Sequence, residues 1–218
     1  TANEARKQIE KALIEERNLV SAILDVASAL IVVLDNQGNI VSFNQACEKI
    51  TGYSFAEVEN NQVWNLIPPE EIETTTKMFQ QLKRGEYPKQ HQNYWVAKDG
   101  SRHLISWSNT CLIDDGSVKY IIATGIDITE KHQVEEDLNR FFSLSLDMLS
   151  LAGLDGYFKQ INPAFEEILG YTKTELFAQP FLNFIHPDDV AATLAQMDKL
   201  SQGIKTIAFE NRYRCKDG

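Results

Sequence analysis

The 218-residue chain is 43% hydrophobic and 24% charged, with a formal net charge of -10; this is the balance of a folded protein, and its acidity disfavours nucleic-acid phosphate or an anionic membrane as main partner. Its length gives room for one large domain or two of about 100 residues. Three cysteines, Cys47, Cys111 and Cys215, odd in number and far apart, exclude a disulfide framework or a CxxC metal pair and fit a reducing cytoplasm.

Residues 1–28 carry Ile9, Leu13, Val20, Ile23 and Ala27, continued by Leu30, at spacings of four and three once Glu16 is counted in the slot between Leu13 and Val20. That seam suits an amphipathic helix, either lying on its own domain or paired in a two-stranded coiled coil. The apolar run around Ala27 to Leu34 is too short to span a bilayer, and no signal peptide is visible. Leu30 to Leu34, the turn Asp35-Asn36-Gln37-Gly38 and Ile40 to Phe43 read as a hairpin. Asn44 to Ile50 follows as a short helix stopped by Gly52, and Ser54 to Glu57 has the capping-box spacing.

Pro68-Pro69-Glu70-Glu71 opens a longer helix that ends at Gly85, because the first turn tolerates proline and favours acids. Three strands come next, about Lys89 to Ala97, Arg102 to Ile113 and Val118 to Asp127, separated by Lys98-Asp99-Gly100-Ser101 and Asp114-Asp115-Gly116-Ser117. Thr129 then suits an N-cap. Val134, Leu138, Phe141, Ser145 and Met148 repeat the four-three spacing, as a two-stranded connector or as a helix packed on a neighbouring domain.

Shifting the chain by 118 residues aligns Leu30–Gly100 with Met148–Gly218 without a gap. Gly38 meets Gly156, Asn44 meets Asn162, Gly52-Tyr53 meets Gly170-Tyr171, Glu57 meets Glu175, and Lys98-Asp99-Gly100 meets Lys216-Asp217-Gly218. Such an offset marks two copies of one unit. The second lacks a counterpart of about Ser101 to Asp127, which leaves sheet edges unpaired. The start at Thr1 and the turn-like end at Gly218 suggest a piece of a longer polypeptide.

Phe43-Asn44, Ile161-Asn162, the two Gly-Tyr pairs, His186-Pro187-Asp188-Asp189, the KDG turns and Gly125-Ile126-Asp127-Ile128-Thr129-Glu130 together resemble the PAS family of sensory domains, over nearly the whole chain after about residue 20. The resemblance implies an α+β fold: a five-stranded antiparallel sheet in order 2-1-5-4-3 with helices on one face, in tandem, often around a small-molecule cavity. The expected layout is a signalling helix over 1–28, a first domain over 29–129, a connector over 130–147 and an incomplete second domain over 148–218. Such a second copy is expected to be unstable alone or to be completed by a partner. Asp127 and Thr129 resemble the family's DIT-like strand end, which couples sheet rearrangement to the following helix.

Little here points to catalysis. No phosphate-binding, dinucleotide or cyclase motif occurs, and His132 lacks the surroundings of a phosphoacceptor histidine. No two histidines have a metal-site spacing. Haem is disfavoured because residues 70–84 and 188–202 contain no histidine, and Cys47 lacks the context of a flavin-reactive cysteine, reading better as a buried small hydrophobe. Trp64, Trp95 and Trp107, with Tyr53 and Asn44, are candidate pocket residues for a non-covalent flavin or small organic ligand, with plain aromatic core as the other reading. The resemblance implies a cytoplasmic sensory or relay module of a bacterial sensor histidine kinase or diguanylate cyclase. It would form a homodimer through its helical segments and act on a C-terminal output domain of the same chain, without nucleic-acid binding or membrane insertion. The alternatives are a structural homodimerisation module with filled cores and an enzyme with an unrecognised site.

Overall fold

The computed structural model describes residues 28–85, 90–205 and 208–218, with isolated positions between 7 and 22. The amphipathic pattern of residues 1–28 therefore falls almost wholly outside the described residues. The chain divides between His132 and Gln133 into two compact units.

In the first unit, β1 (Leu30–Asp35), β2 (Ile40–Phe43), β3 (His91–Val96), β4 (Arg102–Asp114) and β5 (Ser117–Asp127) form one antiparallel sheet in order β2-β1-β5-β4-β3. Between β2 and β3 lie α1 (Gln45–Thr51), α2 (Phe55–Val58), two 3-10 turns (Val63–Leu66 and Pro69–Glu71) and α3 (Ile72–Lys83). Alternation along the strands turns Val32, Leu34, Trp95, Ile105, Trp107, Ile121 and Ala123 inward, where they join Phe43, Val63, Leu66, Phe79 and Leu82 in one core. The register sets His91 opposite Trp107, Trp107 opposite Gly125, and Asn109 opposite Ala123.

Local chemistry sets the helix ends. Asn44 caps α1 by accepting the Cys47 N–H, and Gly52 closes it at φ 71°, a left-handed conformation that favours glycine. The Glu57 carboxylate accepts the Ser54 N–H at 2.9 Å, so the carboxylate arm of the expected capping box is present.

The second unit contains β6 (Ser150–Ala152) and β7 (Phe158–Ile161) as a two-stranded sheet. Next come α5 (Ala164–Leu169), α6 (Lys173–Phe177), a 3-10 turn (Phe181–Phe184) and α7 (Pro187–Ser201). Its core joins Phe158, Ile161, Phe165, Leu169, Leu176, Phe181, Phe184 and Ile185. The counterpart of β3 makes only an isolated bridge, Tyr213 to Ile185.

α4 (Thr129–Leu144) follows β5. It is shorter than the heptad pattern implied: Ser145 and Met148 lie beyond its end, and Met148 packs on the second core. Only Val134, Leu138 and Phe141 of that pattern are on the helix, all exposed. No described helix is long and apolar enough to cross a membrane.

Candidate functional site

The first unit holds a cavity of about 50 Å³ between the inner sheet face and α3. Trp64, Trp95 and Trp107 line it together with Val32, Phe79 and Ala123. The aromatic walls are mutually braced. Trp95 stacks on Phe43 at 5.9 Å and meets Trp107 at 4.8 Å, while Trp64 packs edge-on to Phe79 at 5.3 Å.

Polar groups of this wall come from adjacent strands. Trp107 Nε1 donates to Asn93 Oδ1 at 2.7 Å, and Asn93 Nδ2 lies 3.5 Å from Thr75 Oγ1. His91 Nε2 and Asn109 Nδ2 also belong to lining residues, yet both atoms are buried without a hydrogen-bond partner among the described residues. Burial lowers the His91 pKa, against the opposing field of Glu71, and so favours the neutral ring.

Asn44 and Tyr53 are placed elsewhere. Asn44 is buried, but its Oδ1 accepts the Ile31 N–H at 3.0 Å and its Nδ2 donates to Ala29 O at 2.9 Å, so the side chain latches the entry of β1. Tyr53 lines a separate surface cleft with Glu57 and Asn61. The cavity's 50 Å³ is far below the roughly 300 Å³ at which drug-sized ligand sites begin, so a three-ring cofactor would need the walls to move. Cys47 is buried with its thiol pushed up to about 12, mainly by desolvation, which makes it a poor nucleophile.

The other candidate feature is the junction between β5 and α4. Asp127 Oδ1 accepts the Thr129 N–H at 2.8 Å as well as the Thr129 hydroxyl. Thr129 is thus the first helical residue and not the cap, and its hydroxyl oxygen accepts the Leu104 N–H at 2.8 Å. Leu104 O in turn accepts the Ile128 N–H at 2.9 Å, so both backbone groups of one β4 residue hold the helix start. His103 Nδ1 lies 3.1 Å from Asp127 Oδ2. Partial burial pushes the Asp127 pKa up, but the hydrogen bonds from Thr129 and His103 outweigh it and hold the carboxyl below its ordinary range.

Trp107 and Gly125 connect these two places. Their pairing brings the tryptophan ring across β5, and a Cβ on Gly125 would lie 2.6 Å from both the Trp107 ring and Ile105 Cγ2. Only a residue without a side chain admits that approach. Gly125 is two residues from Asp127, and Asp127 is paired with Ile105. Sequence reasoning missed His103, His91 and Asn109 as site members, because each becomes significant only through cross-strand register. Among the described residues no His, Cys, Asp and Glu cluster could hold a metal ion.

Family models described as PAS domain and PAS fold match residues 28–130 and 158–218 respectively. Over 135 residues the chain is 27% identical to the probable diguanylate cyclase DgcE of Escherichia coli (strain K12), covering 58% of this chain and 12% of that protein. Over 131 residues it is 30% identical to the sensor histidine kinase TmoS of Ectopseudomonas mendocina, covering 55% of this chain and 12% of that one. The chain thus spans about an eighth of the length of these two curated relatives. A solved RNA-binding light-oxygen-voltage receptor shares the fold at a TM-score of 0.50 and 22% identity, over 59% of this chain and 37% of that one. The match of both units, the 2-1-5-4-3 sheet and the helices on one face lead to one assignment: the chain belongs to the PAS family and carries two of its sensory domains in tandem.

Proposed function

We propose that the first unit senses a small molecule in its cavity and relays occupancy through Asp127 and Thr129 into α4. On this reading the domains span 29–129 and 148–218, with the connector over 130–147. The supporting observation is Trp107, which lines the cavity on one side and rests on Gly125 on the other. A ligand that displaces this ring acts on β5 two residues before the hydrogen bonds that orient α4, and small displacements at packed interfaces are amplified by elements with discrete arrangements.

On this reading the chain is non-catalytic and cytoplasmic. It assembles as a homodimer through its helical segments and controls a C-terminal output domain of the same polypeptide, of the histidine kinase or diguanylate cyclase type. The exposed stripe Val134, Leu138 and Phe141 favours helix pairing. That stripe equally serves the second reading, a homodimerisation module without ligand.

Amide hydrogen exchange separates the two readings. The chain is compared as purified and after extraction of bound small molecules, with mass spectrometry of the extract. Sensing requires a bound molecule whose removal changes protection at residues 103–106 and 126–132. A chain that yields no molecule, with unchanged protection, is the dimerisation module.

A further inference from the structure

The cavity's two unsatisfied atoms narrow what it accepts. His91 on β3 is paired with Trp107 on β4, and Asn109 lies two residues beyond Trp107 on the same inner face of β4. Their Nε2 and Nδ2 atoms are buried without a partner among the described residues, in a cavity whose other walls are almost wholly apolar. Asn109 Nδ2 is a donor, and His91 Nε2 is one in the tautomer that carries the ring proton there; a buried donor left unpaired costs about 1–3 kcal/mol, so this wall suits an occupant that accepts hydrogen bonds. We propose that the first unit binds a short, uncharged, apolar molecule with one acceptor oxygen, a ketone, aldehyde or ester, held by His91 Nε2 and Asn109 Nδ2.

Charge decides against an acid. No lysine or arginine lines the cavity among the described residues, and the Glu71 carboxylate, which accepts the Tyr94 N–H at 2.8 Å, acts electrostatically on His91. A carboxylate here would be desolvated, close to a like charge and without a cation. Burial also favours neutral His91, which offers one N–H and no positive charge. The second unit supplies a contrast in the same register: the 118-residue shift puts Phe209 at the position of His91 and Leu182 at that of Trp64.

This inference rests on the sensing reading, and the test separates the two. The complete chain, labelled with nitrogen-15, is titrated with butanone, 2-methyl-1-butene and propionate, which are similar in size and differ in acceptor and charge. The three indole N–H resonances, from Trp64, Trp95 and Trp107, all report on the cavity. Butanone is expected to shift them with about tenfold tighter affinity than the alkene, the worth of one or two net hydrogen bonds, and propionate is expected to leave them unmoved. Asn109→Leu and His91→Phe should each reduce the preference for the ketone. Equal binding of ketone and alkene by the wild-type chain overturns the acceptor requirement, and propionate binding as well as butanone overturns the uncharged class. No response to any of the three overturns sensing through this cavity altogether. The wild-type titration decides even where a variant fails to fold.

Discussion

The two units repeat one another down to single hydrogen bonds, and then diverge where the sheet differs. Asn44 accepts the Ile31 N–H and Asn162 accepts the Leu149 N–H, at equivalent positions. Glu48 accepts the Phe55 N–H as Glu166 accepts that of Lys173. The ion pair Lys98–Glu57 recurs as Lys216–Glu175, and the bulge between Val33 and Leu34 recurs between Leu151 and Ala152. The latches, caps and bulge need only nearby chain or the first hairpin, whereas the ion pairs join residues 41 apart without involving β4 or β5. The third strand needs β4, and its fate is different: Trp95 is 2% exposed inside a five-stranded sheet, whereas Tyr213, its counterpart, is only partly buried. Caps and latches follow from nearby sequence and the clamps close without β4, while a strand exists only with a neighbour to pair with.

The hardest test of that contrast is Gly125→Val. The new side chain meets Trp107 and Ile105 at distances that force the sheet apart, and overpacking of a filled core costs about 3 kcal/mol. Thermal unfolding followed by tryptophan fluorescence reads the first unit alone, since all three tryptophans are there. A large fall in its midpoint is expected while amide spectra of residues 148–218 stay unchanged; loss of both together would mean that the units are not separately folded.

The asparagine latches give the next largest effect. Asn44→Ala and Asn162→Ala each strip a partly buried backbone N–H and a carbonyl of their partner, for about 2 kcal/mol in the affected unit. Urea unfolding with unit-specific amide probes should show matching losses. A silent Asn162→Ala would break the equivalence and show that the second latch carries no load without a complete sheet.

Most of the first unit could be read from residues alone, because its turns are marked by glycine and its strands alternate. Gly38, Gly52, Gly85 and Gly100 all take positive φ where the sequence placed a turn or a stop. The site was less legible. Extending the Asp114–Ser117 turn register in a straight ladder sets Leu104 opposite Asp127, but a bulge between Leu112 and Ile113 makes that residue Ile105. One residue of slip reverses which side chains face inward, so the Leu104–Thr129 bond could not be deduced. Asn44 misled for a related reason: a polar residue beside an aromatic looks like a pocket group until its backbone partners are seen.

The junction ranks third. Thr129→Val keeps the shape but removes the acceptor of the Leu104 N–H and the donor to Asp127, and should cost the first unit about 1 kcal/mol. The more telling readout is exchange of the Leu104 amide, expected to quicken well beyond that of its β4 neighbours. Uniform quickening along β4 would reduce Thr129 to a general contributor to sheet stability.

Acid should affect both units alike, with the smallest effect. Glu57 and Glu175 are each lowered to about 2, first by the hydrogen bond from Lys98 or Lys216 and then by the capped N–H of Ser54 or Thr172. A carboxyl whose folded pKa is depressed stabilises the fold above its unfolded value of 4.5, and that contribution fades as pH falls from 4.5 towards 2. Both clamps are exposed, so screening keeps the effect small. Glu57→Gln should flatten this part of the acid stability profile for the first unit and Glu175→Gln for the second. A profile flattened in one unit only would mean that a clamp built from equivalent residues depends on the sheet behind it, which would place the line between local and long-range structure closer to the helix ends than the hydrogen bonds suggest.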